Sequence, residues 1–429
     1  MIGAGDKIRV FYKDKIFEGI LMSQEKPDFL DIKLSSGYNV GLKKKSITKT
    51  ELLKKKSELK VPPEKNVVKK NLPTMSILHT GGTIASKVDY STGAVIAQFT
   101  EGELLSMFPE IKNLANINSR LIRNMQSEMM RFSHYNLLAK AIAEEAKKGV
   151  DGVILTHGTD TMHYTAAALS FALENLTIPV ILVGSQRSSD RGSTDAAMNL
   201  LAAVQFITNT DFAGVAMCMH ENNDDKNCLI LPGCKSRKMH TSRRDAFRPI
   251  NTTAIARIDV ESKKITLISE YDKKDKNKKI SLKLFDEKLK VGLIKAHVNM
   301  FASEFLAYKD FDGLVVEIMG IGHIPTMKVD EFTSENEKIL NAINTLSKKV
   351  VVAAAPQTIY GRVDMDVYTP GKQLLKAGVI GNHTDMTPET AFIKLAWLLS
   401  NHKNEARKLF GKNLRGEISE RSEKGAYLV

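Results

Sequence analysis

From residue 75 onward the chain repeats one pattern: a short, unbroken apolar run, then a longer stretch with apolar residues spaced three and four apart. The runs are MSILH (75–79), GVILT (152–156), PVILVG (179–184) and AGVAMCMH (213–220). Segments apolar at every position suit strands covered on both faces, as in a parallel sheet. Between them, SHYNLLAKAIAEEAKKG (133–149) reads as an amphipathic helix, with Ser133 as its cap and Leu137, Leu138, Ala141 and Ile142 as its stripe. Lys147, Lys148 and Gly149 suit its end. TMHYTAAALSFALEN (161–175) reads as a second helix. This alternation predicts an open α/β sheet. KKDKNKK (273–279) interrupts it; it resumes with KVGLIKAH (290–297), FDGLVVEIM (311–319), KKVVVAAA (348–355) and the helical ETAFIKLAWLLSN (389–401). A second, smaller parallel-sheet α/β unit is therefore expected.

The first fifty residues follow a different rule. DKIRVFY, KIFEGILMS, FLDIKLSSG and YNVGLKKKSI are short and rich in Ile, Val, Phe and Tyr, with turn residues between them. So few residues, alternating apolar and polar, predict a small all-β barrel. The charged stretch that follows, with Pro62-Pro63 at its middle, reads as a linker. The expected organisation is a β-barrel over 1–58, a linker over 59–74, and α/β domains over 75–280 and 281–429.

Composition excludes several classes. No apolar run reaches membrane-spanning length, and MIGAGDKIRVFYKDK lacks a signal-peptide core, so a cytoplasmic location is expected. The three cysteines, Cys218, Cys228 and Cys234, have no metal-ligand spacing and suggest a reducing compartment; no metal site is expected. The net charge of +13 lies largely in lysine runs such as 43–45, 54–56 and 273–279. Such runs suit solvated faces, or attraction to a polyanion such as RNA.

Sites in open parallel sheets form at the carboxyl ends of strands. After the first three apolar runs come His79-Thr80-Gly81-Gly82-Thr83, Thr156-His157-Gly158-Thr159-Asp160-Thr161 and Ser185-Gln186-Arg187-Ser188-Ser189-Asp190. Adjacent strands bring these into one crevice, where glycines let backbone N–H groups approach a small substrate. No nucleotide-binding glycine motif is present. A threonine hydroxyl becomes a nucleophile only when a base takes its proton, and a lysine among other cations suits that task. Lys238, in SRKMHTSRRDAF, is one candidate, although its segment precedes no obvious strand.

TGGTIAS (80–86), HGTDTM (157–162) and Lys238 ahead of HTS together resemble the L-asparaginase/amidohydrolase family with a threonine nucleophile. The resemblance implies an asparaginase-like fold, with Thr83 as nucleophile and Tyr90 on a flap that closes over substrate. It makes Thr159 the residue that positions water, Asp160 the ligand of the substrate amino group, and Lys238 the completion of the relay. Backbone N–H groups near Gly82 and Thr159 would hold the oxyanion. Where asparaginases carry Ser-Gln for the substrate carboxylate, this chain reads Gln126-Ser127, followed by Glu128, which leaves asparagine preference open. Gly81-Gly82 and Gly93 bracket SKVDYST, which is expected to hinge as a lid.

The small barrel, together with QTIYGRVDMDVYTPGKQLLKAGVI and DMTPETAFIKLAWLL, resembles the D subunits of archaeal glutamyl-tRNA(Gln) amidotransferases. That resemblance implies a glutaminase in a heterotetramer with a homodimeric core. It passes ammonia to the E subunit, which uses ATP and Mg to activate glutamyl-tRNA(Gln); this chain itself carries no cofactor. A free-standing L-asparaginase, or an inactive RNA-binding scaffold of the same fold, are the alternatives.

Overall fold

The computed structural model describes residues 2–22, 27–34, 39–55, 69–81, 86–88, 95–97, 109–187, 194–275, 277–422 and 424–427. Strands β1 (Lys7–Tyr12), β2 (Lys15–Leu21), β3 (Phe29–Leu34), β4 (Asn39–Lys43) and β5 (Ile47–Lys54) form one antiparallel sheet in the order β4-β3-β2-β1-β5. A 3-10 turn at Lys44–Ser46 carries the chain from the β4 edge to the β5 edge. The sheet thus folds over a small core of Ile8, Val10, Leu21, Ile32 and Leu42. Of the expected linker, 59–68 lies outside the described residues.

The first α/β unit is built on β6 (Thr74–His79). A hairpin of β7 (Ser86–Val88) and β8 (Val95–Ala97) follows, and then β9 (Asn116–Leu121). Next come helix α1 (Phe132–Lys147), β10 (Gly152–Thr156), α2 (Met162–Ala172), β11 (Leu173–Glu174), β12 (Pro179–Val183) and α3 (Ala196–Asn209). The chain continues through β13 (Gly214–His220), β14 (Asn227–Pro232), β15 (Ser236–Lys238), β16 (Phe247–Pro249), β17 (Ala256–Asp259) and β18 (Lys264–Leu267). Its main sheet runs β18-β17-β14-β13-β12-β10-β6-β9. The strands from β9 to β13 are parallel, and β14, β17 and β18 extend the sheet antiparallel.

Continuous apolar runs are explained by cover on both faces. Leu78, Val153, Leu155, Val180 and Leu182 pack toward α1 and α2. Their neighbours Met75, Ile77, Ile154, Ile181 and Val183 pack toward α3 on the other side. This is the period-2 division of a strand between two hydrophobic layers. Chain order places β9 on one side of β6 and β10 on the other, so a topological switch point lies beside β6.

A strand β19 (Ser281–Leu282) pairs with β11 and leads into the second unit. That unit comprises β20 (Val291–Lys295), α4 (Ala302–Leu306), β21 (Gly313–Ile318), α5 (Ser334–Leu346), β22 (Val351–Pro356), α6 (Thr369–Lys376) and α7 (Pro388–Asn401). Its sheet is parallel, in the order β20-β21-β22. Helices α2 and α7 pack together between the two sheets, with Phe171 and Trp397 rings 5.4 Å apart. One hydrophobic cluster therefore runs through both units.

Two expected details differ. Helix α1 begins at Phe132, so Ser133 lies inside it rather than at its cap. The Phe132 ring stacks on Phe285 and Phe392, with centroids 5.3 and 6.0 Å away, and the Arg131 N–H donates to His134 Nδ1 at 3.0 Å. Tertiary stacking thus sets this terminus. The helix expected over 161–175 stops at Ala172, because the next two residues pair with β19. No helix among the described residues is long and apolar enough to cross a membrane.

Candidate active site

The loop after β6 is tied to the end of β10: the Thr80 N–H and Oγ1 both donate to the Thr156 carbonyl, at 3.2 and 3.0 Å. On its other side, the Met125 N–H donates to the Thr80 carbonyl at 3.0 Å. Gly81 has φ +100°, and a Cβ there would stand 2.6 Å from the Met125 carbonyl oxygen. Left-handed backbone and close approach both require glycine at this turn.

The loop after β10 is packed as closely. A Cβ on Gly158 would stand 2.8 Å from the Ser127 Cβ, and one on Gly184 would stand 2.7 Å from the Thr159 Cγ2. The ends of β6, β10 and β12 and the 3-10 turn Ser127–Met129 after β9 therefore close on one crevice. Ser127 is buried, and its carbonyl accepts from Thr161 Oγ1 at 2.6 Å. Gln126 and Glu128 on either side of it are both exposed.

Lys238 enters from the side. Its Nζ donates to Thr159 Oγ1 at 2.8 Å and to Asp160 Oδ1 at 2.7 Å. The Lys238 side chain is 11% exposed and that of Asp160 67%, so a largely covered lysine meets a carboxylate that still faces solvent. Three of the four residues expected in the relay are thus in contact. Thr83 lies outside the described residues, as do Gly82, Tyr90 and most of the expected lid; only the backbone pairing of β7 with β8 is described there. Lys238 does lie on a strand: β15 pairs with β16, Lys238 opposite Phe247. Three residues, two of them charged, leave no apolar run to read.

Both ring nitrogens of His79 and of His157, beside the crevice, are engaged in hydrogen bonds. His79 Nδ1 and Nε2 meet Thr156 Oγ1 and Ser119 Oγ, each at 2.8 Å. His157 Nδ1–H donates to the Gly158 carbonyl at 2.7 Å, and its Nε2 meets Thr165 Oγ1 at 2.9 Å. Burial lowers the pKa of His79, His157 and His163 to about 4, so all three are neutral near pH 7. At the third strand end, Ser185 Oγ and the N–H groups of Gln186 and Arg187 donate to buried Asp195 at 2.9, 3.0 and 3.1 Å. Those residues are bound to that carboxylate; Ser188, Ser189 and Asp190 lie outside the described residues.

Sequence reasoning read Arg237 only as a cation flanking Lys238 and passed over Lys235, Asp385 and Glu389. Lys235 Nζ donates to Asp385 Oδ2 at 2.6 Å, and Arg237 Nη2 lies 2.8 Å from Glu389 Oε1. The available signals were the basic residues just ahead of Lys238 and the two acids of DMTPET. On the second unit's surface, Asp364, Asp366 and His383 approach within 4.8 Å of one another, which their spacing in the chain does not reveal. Asn382 Nδ2 donates to Asp366 there at 2.6 Å.

The chain matches three family models: GatD N-terminal domain over residues 2–53, Asparaginase, N-terminal, over 74–272, and Glutaminase/Asparaginase C-terminal domain over 290–410. Curated relatives named as the D subunit of glutamyl-tRNA(Gln) amidotransferase include one from Thermococcus kodakarensis, 42% identical, with 97% of this chain and 95% of that protein covered. Another, from Pyrococcus furiosus, is 42% identical, with 100% and 98% covered. Among solved structures, the thermostable L-asparaginase from Thermococcus kodakarensis superposes with a TM-score of 0.69 at 30% identity, covering 81% of this chain and all (100%) of that one. L-asparaginase I from Vibrio cholerae gives 0.68 at 27% identity, with 81% and 99% covered. Matched along nearly its whole length and carrying both asparaginase domains, the chain belongs to the family of glutamyl-tRNA(Gln) amidotransferase D subunits.

Proposed function

We propose that the chain is the glutaminase component of a tRNA-dependent amidotransferase, working through a threonine acyl-enzyme. The observation that carries this reading is the Lys238 Nζ held between Thr159 Oγ1 and Asp160 Oδ1 at the end of β10. Glutamine binds with its α-amino group at the exposed Asp160 carboxylate and its α-carboxylate near Gln126, Ser127 and Glu128. The Thr83 hydroxyl attacks the side-chain amide carbon. Its proton passes through the Thr159–Lys238–Asp160 group to the departing nitrogen, which leaves as ammonia. Water positioned by Thr159 then cleaves the ester and releases glutamate. Backbone N–H groups near Gly82 and Thr159 face the developing oxyanion, and Tyr90 lies on the lid that closes over the substrate.

In this reading ammonia goes to the E subunit of the amidotransferase, which uses ATP and Mg to activate the glutamyl group on tRNA(Gln). The chain supplies the homodimeric core of the assembly, and its +13 charge favours the tRNA. A free-standing L-asparaginase is the second reading, favoured by the likeness to solved L-asparaginases. The match of residues 2–53 to the GatD N-terminal domain weighs against it.

Ammonia release from glutamine and from asparagine, with and without partner and glutamyl-tRNA, separates the two. Thr83→Val and Thr159→Val are each expected to lose about 10²–10⁴ in glutaminase rate. Variants that keep most of that rate would remove the acyl-enzyme from consideration.

A further inference from the structure

The strand that holds Lys238 has three residues and one hydrogen-bonded neighbour, so its own ladder fixes it weakly. Its side chains alternate in direction. Ser236 Oγ donates to the Pro232 carbonyl at 2.7 Å, and Lys238 faces Thr159 and Asp160. Lys235 and Arg237 point the other way, into the second unit. Lys235 Nζ donates to Asp385 Oδ2 at 2.6 Å and to Ser419 Oγ at 2.5 Å. Arg237 meets Glu389 at 2.8 Å, and Thr390 Oγ1 donates to the Cys234 carbonyl at 2.8 Å.

The acidic side of these contacts is itself fixed. Asp385 Oδ1 accepts from the Ser419 N–H at 3.0 Å. Thr387 caps α7, accepting from the Thr390 N–H at 3.3 Å, and Glu389 sits in the first turn of that helix. His163 Nε2 lies 3.9 Å from Glu389 Oε1, but buried and neutral it does not balance the carboxylate. Arg237, one residue from Lys238, does so. The charges gathered here are Asp160 from the β10 loop, Arg237 and Lys238 from β15 with Lys235 just before it, and Asp385 and Glu389 at the approach to α7 and in its first turn. Glu317 of β21 joins them: burial and then Glu389 push it toward its neutral form, and Arg237 toward its charged one.

We propose that Asp385 and Glu389 of the second unit are positioning residues for Lys238. They hold the opposite face of its strand so that the ammonium reaches Thr159 and Asp160. The inference rests on the reading of Lys238 as the proton carrier. It gives the second unit a direct hold on the proton relay of the first.

The test is ammonia release by the full chain as glutamine is varied. Misplacing a catalytic group by about 1 Å can cost about 10²-fold, so Glu389→Gln is expected to lower kcat by roughly 10- to 100-fold. KM should stay within about twofold, because the contact orients the relay and leaves substrate contacts intact. In a Lys238→Met background the same substitution should cost nothing further. Arg237→Gln breaks the contact from the other side and should reproduce the pattern; an unchanged unfolding midpoint establishes that each variant is folded. An inactive Lys238→Met beside a Glu389→Gln of normal kcat would overturn the positioning role and leave the lysine's role standing. Equal losses from Glu389→Gln in both backgrounds would overturn it as well. An active Lys238→Met would remove both readings.

Discussion

The two α/β units present the same kind of edge and use it differently. At the carboxyl ends of β6, β10 and β12, the chain turns into buried polar residues, His79, Thr80, His157, Thr159 and Ser185, each held by a hydrogen bond. Around the corresponding ends of the second sheet it exposes apolar side chains: Val298 is 82% exposed, and Phe301, Ile321 and Ile359 are also exposed. Parallel topology supplies a crevice; chemistry depends on what the loops place there. The second unit's contribution to the site comes from the start of a helix, through Asp385 and Glu389.

The contrast breaks most readily at two lysines. Lys238 pairs with a carboxylate open to solvent, whereas Lys394 and Glu417 form a pair with neither side chain exposed. Lys238→Met should lower ammonia release from glutamine by about 10²–10⁴ with little change in the unfolding midpoint. Glu417→Ala should do the reverse. It strands a buried ammonium and removes the acceptor of the Leu414 and Arg415 N–H groups, a loss of about 3–5 kcal/mol in denaturant unfolding.

A smaller effect tests the packing of the crevice. Gly184→Ala drives a methyl group into Thr159, costing about 1–3 kcal/mol of stability. It should also lower the glutaminase rate by displacing the Lys238 partner. An equivalent packing change in the second unit, away from α7, should cost stability alone.

Acid tests the contrast without any substitution. His79, His157 and His163 have pKa values near 4 in the folded chain, against 6.5 for a free imidazole. Their neutral form is fully compatible with folding above pH 6.5. Between pH 6.5 and 4 the unfolded chain binds protons that the fold does not, so stability falls as pH drops through that window. His297 in the second unit is shifted upward, chiefly by its hydrogen bond to the Val298 carbonyl and then by Glu304. Amide exchange at pH 7 and pH 5 should therefore lose protection first around β6 and β10.

Most parallel strands of both sheets were legible because strands buried on two faces leave unbroken apolar runs; the edge strand β9, NINSRL, left none. The first helix terminus was not: Ser133 has the chemistry of a cap, but the stacking of Phe132 on residues distant in the chain extends the helix past it. In the antiparallel extension of the first sheet, β17 and β18 escaped because they carry mixed patterns, ARID and KITL; β14 was missed although CLIL is an unbroken apolar run. At the site, the turns after the apolar runs pointed to Thr159 and Asp160, and the family resemblance added Lys238, whose ammonium meets both. Neither pointed to Glu389, because an ion pair across two units leaves no local period in either segment.

Helices α2 and α7 also decide what can be separated. Phe171, Ala168 and Leu169 on one, and Ile393, Leu395 and Leu398 on the other, are wholly enclosed between the two sheets. A helix apolar on every side needs cover all round. A gene cut near residue 280 would yield two fragments, each with a bare greasy flank, and aggregation in place of a half-enzyme. The two units are therefore expected to fold only as one chain.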